Sequence, residues 1–440
     1  MAKVEALKID WDYGEKGNLT TDSIIEGLRS GAVEDGEVAW EAGDIAEAFA
    51  EHRTLVEAEY LQPFQAHVPL EPMNCTAHFR DDGRLEIWAP TQSPSAAYNV
   101  AKSITQSKIR RGLEEVREKL LGFRDESVDV HTTLLGGGFG RRLQQDYVAE
   151  VVKIAQHYNR PVQLVWTREE DVQHDHYHPM TLHKLKGVLD DNGMPVAWDH
   201  LVAGHNVSAE GAAPHPYAIG HSRVSVLDYA TIIPKGAWRS VAPHYNVFAV
   251  EHFLDELALA GKQDPVELRL KLLGDQPRLR KVLEMVADSA NWSNGLGRGV
   301  AMGAGVVSRW GSHVAQVVEV AATATDGWRV KKVTCAIDCG IVINPDIVRQ
   351  QMEGSIVFGL SAATKSKITI KNGRVEQSNF HNYPILGIHE TPEIEVLIVQ
   401  SEEEPGGIGE PGVPPLAPAL ANALLVATGQ PVRELPLKLG

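Results

Sequence analysis

In "GGIGEPGVPPLAPALANALLVATG", residues 406–429, a single carboxylate, Glu410, stands among glycines and prolines directly ahead of a small-residue apolar run. The arrangement puts an ionisable group at the mouth of what reads as a buried helix. A second candidate is "TLLGGGFGRR". Gly136, Gly137, Gly138 and Gly140 let a backbone approach a ligand closely and offer it N–H groups. A helix predicted just after it adds its positive end, and Arg141 and Arg142 add full charges, which suits phosphate or another oxygen-rich anion. The stretch is neither a Walker loop nor a Rossmann turn, and a tight structural turn would use the same glycines. "HDHYHP" sets His174, His176 and His178 on one face of any strand. That spacing suits a metal, or simply surface and packed imidazoles. The three cysteines, Cys75, Cys335 and Cys339, are too few for a disulfide framework or for a zinc or iron–sulfur ligand set, and read as buried small residues.

The elements that must position these groups are strands, tight hairpins and helices in mixture, so the expected fold class is α+β or mixed α/β. Hairpin turns are predicted in "HFRDDGRLEIW", "KGVLDDNGMPVAW", "VAATATDGWRVKKV" and "ITIKNGRVEQ", each with Asp or Asn and Gly where positive φ is needed. "DPVELRLKLL" predicts a helix with Asp264 as N-cap, Pro265 at the first turn and Glu267 closing a capping box. "QQDYVAEVVKIAQHYN" predicts another, with Tyr147, Val148, Val151, Val152 and Ile154 on its apolar face. The chain of 440 residues allows two or three domains. The division expected near residues 274–296 gives an irregular segment 1–54, remnant of a preceding domain, a domain 55–275 with the glycine loop, and a domain 276–440 with Glu410. Hydrophobic content of 43% and charged content of 23% are ordinary for a globular protein. A net charge of −16 repels nucleic acid. No apolar run reaches the roughly 18 residues of a membrane span.

The segment "TLLGGGFGRRLQQDYVAE" resembles the molybdenum-binding subunits of the xanthine dehydrogenase and aldehyde oxidase family, and most closely the isoquinoline 1-oxidoreductase β-subunit branch. "LEPMNCTAHF", "IWAPTQSPSAA", "PVQLVWTREED", "AWRSVAPHYNVFAVE", "AIDCGIVINPDIVRQQMEGSIVFGLSAA", "VEQSNFHNYPIL" and "GGIGEPGVPPLAPALANAL" are similar to that branch in the same order, from about residue 4 to the C-terminus. The resemblance implies domains that bind molybdopterin, in the cytosine dinucleotide form common in the branch, with molybdenum held through the pterin and not by side chains. It implies that Gln92 bonds an apical ligand of the metal, that Gly137, Gly138, Phe139, Gly140, Arg141 and Gly409 bind the cofactor, that Gln351 binds the pterin, and that Glu410 is the catalytic base. A carboxylate fixed by a glycine turn can be aimed into a cavity, where burial and a helix end tune its proton affinity in opposite directions. Gln92 would otherwise be a turn residue. Trp238 and Arg239 loosely match the substrate-orienting Phe-Arg-Gly of purine-oxidising relatives, although Trp238 and Ser240 depart from it, and an ordinary ion-paired Arg239 is the alternative. Leu143 stands where purine enzymes place a second glutamate, which favours an aldehyde or aromatic heterocycle as substrate. Asp338 and Asn344 read as turn residues near the pocket.

The branch carries a Met-Gly-Gln-Gly segment ahead of the part matched here, and no Gly-Gln-Gly occurs in this chain. The sequence therefore reads as the later part of a longer subunit, with another chain expected to supply the rest; the alternatives are a cofactor bound incompletely or an inactive product. No iron–sulfur cluster or flavin is expected in this chain, so electrons would leave through an iron–sulfur subunit. The expected activity is oxidation of an aldehyde or N-heteroaromatic substrate with oxygen from water. The rival expectation is a non-catalytic scaffold of a split hydroxylase. The N-terminus shows no signal peptide, which points to the cytoplasm unless a partner carries an export signal to the periplasm.

Overall fold

The computed structural model describes residues 8, 10, 12–32, 36–52, 54–105, 127–292, 300–322 and 327–438. In chain order the elements are α1 (Thr21–Gly31), β1 (Glu37–Ala42), α2 (Ile45–Glu51), β2 (Thr54–Gln62), β3 (Asn74–Phe79), β4 (Leu85–Ala89), α3 (Pro94–Thr105), β5 (Val128–Thr132), α4 (Asp146–Ala155), β6 (Val162–Val165), α5 (Arg168–Gln173), β7 (Thr181–Leu189), β8 (Pro195–Gly204) and β9 (His221–Asp228). They continue with α6 (Val241–Ala260), α7 (Pro265–Leu272), α8 (Pro277–Ser289), β10 (Val300–Arg309), β11 (Ser312–Ala322), β12 (Trp328–Asp338), α9 (Pro345–Thr364), β13 (Ile370–Lys371), β14 (Arg374–Val375), β15 (Glu393–Ile398) and α10 (Leu416–Thr428). The mixture is α+β, as the sequence predicts.

The strands form a five-stranded sheet in the order β1-β9-β8-β7-β2, two four-stranded sheets, β5-β4-β3-β6 and β10-β11-β12-β15, and the β13-β14 ribbon. The predicted hairpins β3-β4, β7-β8, β11-β12 and β13-β14 all pair antiparallel. Gly83, Gly193 and the Asn372-Gly373 pair supply the positive φ of three turns; the turn at 323–326, like the "VEALKIDW" match and residues 293–299 of the expected boundary, lies partly or wholly outside the described residues. Three details differ from expectation. The segment before residue 55 is regular where described, since α1, β1 and α2 form there and β1 closes the edge of the large sheet. Asp264 caps α7 through the N–H groups of Val266 and Glu267, but Glu267 does not complete a box, and Trp292 Nε1 donates to Asp264 instead. On α4, Ala155 rather than Ile154 completes the buried stripe; residues 147, 151 and 155 lie four apart, and Ile154 falls off that line to be 40% exposed.

The largest core joins the five-stranded sheet to the β10-β11-β12-β15 sheet, with α6 and α10 among its helices. Residues 242–258 of α6 are all buried. A helix covered on every side must pair its polar groups. Glu251 and Asp255 meet Arg269, Glu256 meets Tyr60 and Arg433, and His252 bonds Asn422 of α10. Residues 416–425 of α10 are buried as well. They lie directly on β10, where a Cβ on Gly303 would come within 2.1 Å of Ala423 N and one on Gly305 within 2.6 Å of Pro415 O. The cysteines are free and buried, and burial pushes the Cys75 and Cys335 thiols up to about 12.

Candidate active site

The glycine loop leaves β5 and reaches α4 through a left-handed run, with φ of +95° at Gly137, +55° at Phe139 and +106° at Gly140. Gly140 is required by packing: a Cβ there would sit 1.6 Å from the carbonyl oxygen of Ala237. Gln92 closes the loop from the other side. Its Oε1 accepts from the N–H groups of Gly140 (3.1 Å) and Arg142 (3.3 Å). With the oxygen spent on backbone donors, the exposed Nε2 is left as a free donor among the described residues. The N–H groups of Gly137, Gly138 and Phe139 likewise find no acceptor among the described residues, and they form a row of unclaimed donors.

Arg141 and Arg142 correct the expectation of an anion clamp. Both are wholly buried. Arg141 pairs with Asp146 (2.7 Å) and Asp175 (3.0 Å). Arg142 bonds Gly137 O, Pro90 O, Glu71 O and the Glu71 carboxylate. A buried guanidinium needs carboxylates and carbonyls to replace its water, and these two find theirs beneath the loop. They wire the loop in place and present no charge to a ligand. The helix itself starts only at Asp146, after a short turn at Arg141–Leu143, so its positive end does not follow the glycines directly.

Phe139 stacks on Phe358 of α9, ring centroids 4.7 Å apart, and Phe358 stacks on Trp238 at 4.6 Å. Trp238 is therefore part of the floor rather than a substrate contact: it is 2% exposed, packs on His244 and donates from Nε1 to Ala66 O. Gln351 lies seven residues before Phe358 on the same face of α9, which Asn344 caps. Its Oε1 accepts from Arg239 Nη2 at 3.0 Å, which again leaves an amide Nε2 as a free donor among the described residues. Arg239 also donates from Nε to Gly409 O at 2.7 Å. Burial pulls its guanidinium down to about 10, against the charge of Glu410 nearby, so it stays protonated at neutral pH. Its bonds make it a brace between the Gly409 turn and α9.

Glu410 is half-buried. Its Oε1 accepts from the Ser240 N–H at 2.9 Å, its carbonyl oxygen accepts from the Ser240 hydroxyl at 2.7 Å, and its Oε2 is without partner among the described residues. Ser240 is the N-cap of α6, so the carboxylate also sits at that helix's positive end. Beyond it, Gly412 packs on α9, where a Cβ would meet Ser355 Cβ at 2.7 Å, and Gln316 holds Gly412 O. Gly409 faces open space: a Cβ there meets nothing within 4 Å. Leu143 is 40% exposed beside the loop.

The structure thus brings together Gln92, the 137–140 loop, Arg239, Gln351, Gly409 and Glu410. It sets Arg141 and Trp238 beneath them. His174, His176 and His178 do not converge: the first is exposed, the second lies near Asp146, and the third is buried against Trp238 and His244. No metal-binding group of three His, Cys, Asp or Glu exists among the described residues. Asp338 bonds Arg278 and the Gly340 N–H as a turn residue. Sequence reasoning passed over Phe358, Glu71 and the role of Ser240. The one available signal was that Ser240 stands where the resembling motif has glycine. A hollow of about 1280 Å³ lined by Trp328, Lys365 and Arg433 contains none of these residues.

A loop of free backbone donors, two tethered amides and a turn-mounted carboxylate thus lie together among mixed sheets, and the family that the chain matches is one of cofactor-binding proteins. Residues 30–273 and 289–392 match the molybdopterin cofactor-binding domain, and the chain belongs to that family. Among its relatives, isoquinoline 1-oxidoreductase subunit beta of Brevundimonas diminuta is 28% identical over 99% of this chain and 57% of its own length. The membrane-bound aldehyde dehydrogenase [pyrroloquinoline-quinone] of Gluconacetobacter polyoxogenes is 29% identical over 99% of this chain and 60% of its own. The chain thus spans less than two thirds of either relative. Quinoline 2-oxidoreductase of Pseudomonas putida 86 shares the fold, with a TM-score of 0.77 at 12% identity over 95% of this chain and 80% of that one. Among the described residues no helix is long and apolar enough to cross a membrane.

Proposed function

We propose that this chain forms the cofactor-holding, base-bearing wall of a molybdenum hydroxylase that oxidises an aldehyde or an N-heteroaromatic compound. The observation that carries the reading is the meeting, where three turns face the first half of α9, of a half-buried carboxylate with a free oxygen, two amides anchored by their oxygens, and three unclaimed backbone N–H groups. Those donors suit an oxygen- and nitrogen-rich group. Gln92 Nε2, Gln351 Nε2 and the N–H groups of residues 137–139 would hold molybdopterin, which we take to be the cytosine dinucleotide form. When bound, the molybdenum–pterin group supplies the two-electron oxidation and oxygen transfer that side chains cannot perform.

The net conversion turns a C–H bond and water into C–OH, with release of two electrons and two protons. Glu410 Oε2 takes the proton shed as the water-derived oxygen joins the substrate carbon, while Oε1 stays pinned by Ser240. Base assistance of this kind is worth about 10²–10⁴ in rate. Exposed Leu143 gives the substrate an apolar neighbour, and the names of the two relatives supply the two substrate classes. The electrons leave through an iron–sulfur partner subunit. The test is Glu410→Gln in metal-loaded protein assayed with an aromatic aldehyde and an isoquinoline. The amide keeps an acceptor for Ser240, so molybdenum content stays and kcat falls by about 10²-fold or more. Near-normal turnover at equal metal content would remove Glu410 from the reaction, and mass analysis of the released nucleotide checks the cytosine form.

A further inference from the structure

Ser240 holds a backbone that its residue type disfavours. Its φ is +80° and ψ 0°, and Val241 follows at φ +40°, two successive left-handed residues of which the second is β-branched. Such turns persist only where the surroundings over-determine them. Here the surroundings are specific. Arg239 and Ser240 place three donors on Gly409 and Glu410: Arg239 Nε on Gly409 O (2.7 Å), Ser240 N–H on Glu410 Oε1 (2.9 Å) and Ser240 Oγ on Glu410 O (2.7 Å). Ser240 is fully buried, so its hydroxyl is shielded from solvent. Behind it, buried His67 bonds Asp175 through Nδ1 and the Ala237 carbonyl through Nε2 (2.9 Å), which braces the same turn against the Arg141 network. Glycine would adopt this conformation without strain. What serine adds is the hydroxyl.

We infer that Ser240 is a positioning residue for Glu410: its left-handed backbone aims the N–H at one carboxylate oxygen, and its hydroxyl fixes the Glu410 peptide, so that the other oxygen is presented in a single orientation. The inference rests on the proposed role of Glu410 as base. Strain held at this turn is then part of the site's construction, and relaxing it separates stability from turnover.

The test has two arms. In the full chain without cofactor, hydrogen exchange is followed by mass spectrometry in peptides spanning Ser240. Glu410→Ala removes the charged acceptor and speeds exchange of that amide by about tenfold or more, the loss expected for one charge-assisted hydrogen bond. Ser240→Gly holds or raises the thermal midpoint, because the backbone strain is relieved. In the cofactor-loaded enzyme with its partner subunits, Ser240→Gly lowers kcat and leaves KM unchanged, a split that a purely structural role would not produce. Unaccelerated exchange in Glu410→Ala overturns the inference on geometry alone. Wild-type kcat in Ser240→Gly, in preparations where Glu410→Gln is inactive, overturns it while the proposed reaction stands. An active Glu410→Gln enzyme instead sinks the proposed reaction, and with it any bearing of Ser240 on catalysis, whatever the exchange shows.

Discussion

Phe139 lies nearly parallel to Phe358, with ring centroids 4.7 Å apart and planes inclined by 17°, and this contact ties the glycine loop to α9. Because Trp238 stacks on Phe358 as well, one ring is shared by the loop, the helix and the turn that bears Arg239. Phe358→Ala should remove about 2–3 kcal/mol of stability, as expected for a partly buried aromatic with two ring partners. Denaturant unfolding measures that loss, and the metal content of reconstituted protein should fall with it. Unchanged stability would mean that the stack does not hold the loop.

The glycines separate packing from ligand approach. Gly140→Ala places a methyl against Ala237 O at φ +106° and should cost at least about 2 kcal/mol. Gly409→Ala meets no atom within 4 Å and should leave stability within about 0.5 kcal/mol. The added methyl would nevertheless stand beside Glu410 on the open side, so molybdenum occupancy should drop. Normal loading of Gly409→Ala would mean that the cofactor does not approach there.

Asp171 gives a pH-dependent prediction. Burial, then the charge of Asp175, lifts its carboxyl from 3.8 to about 6, while Arg168 and Arg141 pull the other way. The folded state therefore binds this proton more tightly than the unfolded chain does, and stability falls as pH rises from about 4 to about 6, by up to roughly 3 kcal/mol. Asp255 is lifted to about 6 as well, so wild-type unfolding carries both contributions. Asp171→Asn should remove only the first, and the difference between the two unfolding curves should be confined to that window. A pH-independent difference would refute the assignment.

Large apolar side chains stand almost fully in solvent at Leu134 (98%), Ile343 (88%) and Ile388 (94%). Leu134 adjoins the glycine loop and Ile343 adjoins the cap of α9. In the proposed multi-subunit enzyme these two are expected to meet another subunit. Leu134→Asp with Ile343→Asp should leave the thermal midpoint of the chain unchanged and weaken association with its partners in sedimentation. Unaltered association would show these side chains to be free in the complex.

Local chemistry made much of this legible in the sequence. Asp–Gly and Asn–Gly pairs marked the hairpins because only certain residues adopt positive φ, and Pro265 after Asp264 marked α7 through capping. The turn that carries Glu410 ahead of α10 was legible from the glycines and prolines around it. The failures share a cause. Arg141 and Arg142 looked like ligand-binding charges because Glu71 and Asp175, which claim them, come near only in the fold. Trp238 looked available because Phe358, which stacks on it, and Ala66, whose carbonyl takes its N–H, lie far along the chain. Ser240 was visible as a departure from a glycine motif, but its hydrogen bonds to Glu410 span 170 residues.

Gly303 and Gly305 let α10 rest on β10 backbone to backbone, and Glu410 hangs from the turn that leads into that helix. The orientation of the proposed base is therefore set partly by positions that touch no reactive atom. In a saturation library selected for turnover, Gly303, Gly305, Ala419 and Ala423 should accept almost no replacement, whereas exposed Leu143 should accept many. New substrate preferences would then arise by change along the rim, while this small-residue seam stays frozen and the geometry of the base passes unaltered from one variant to the next.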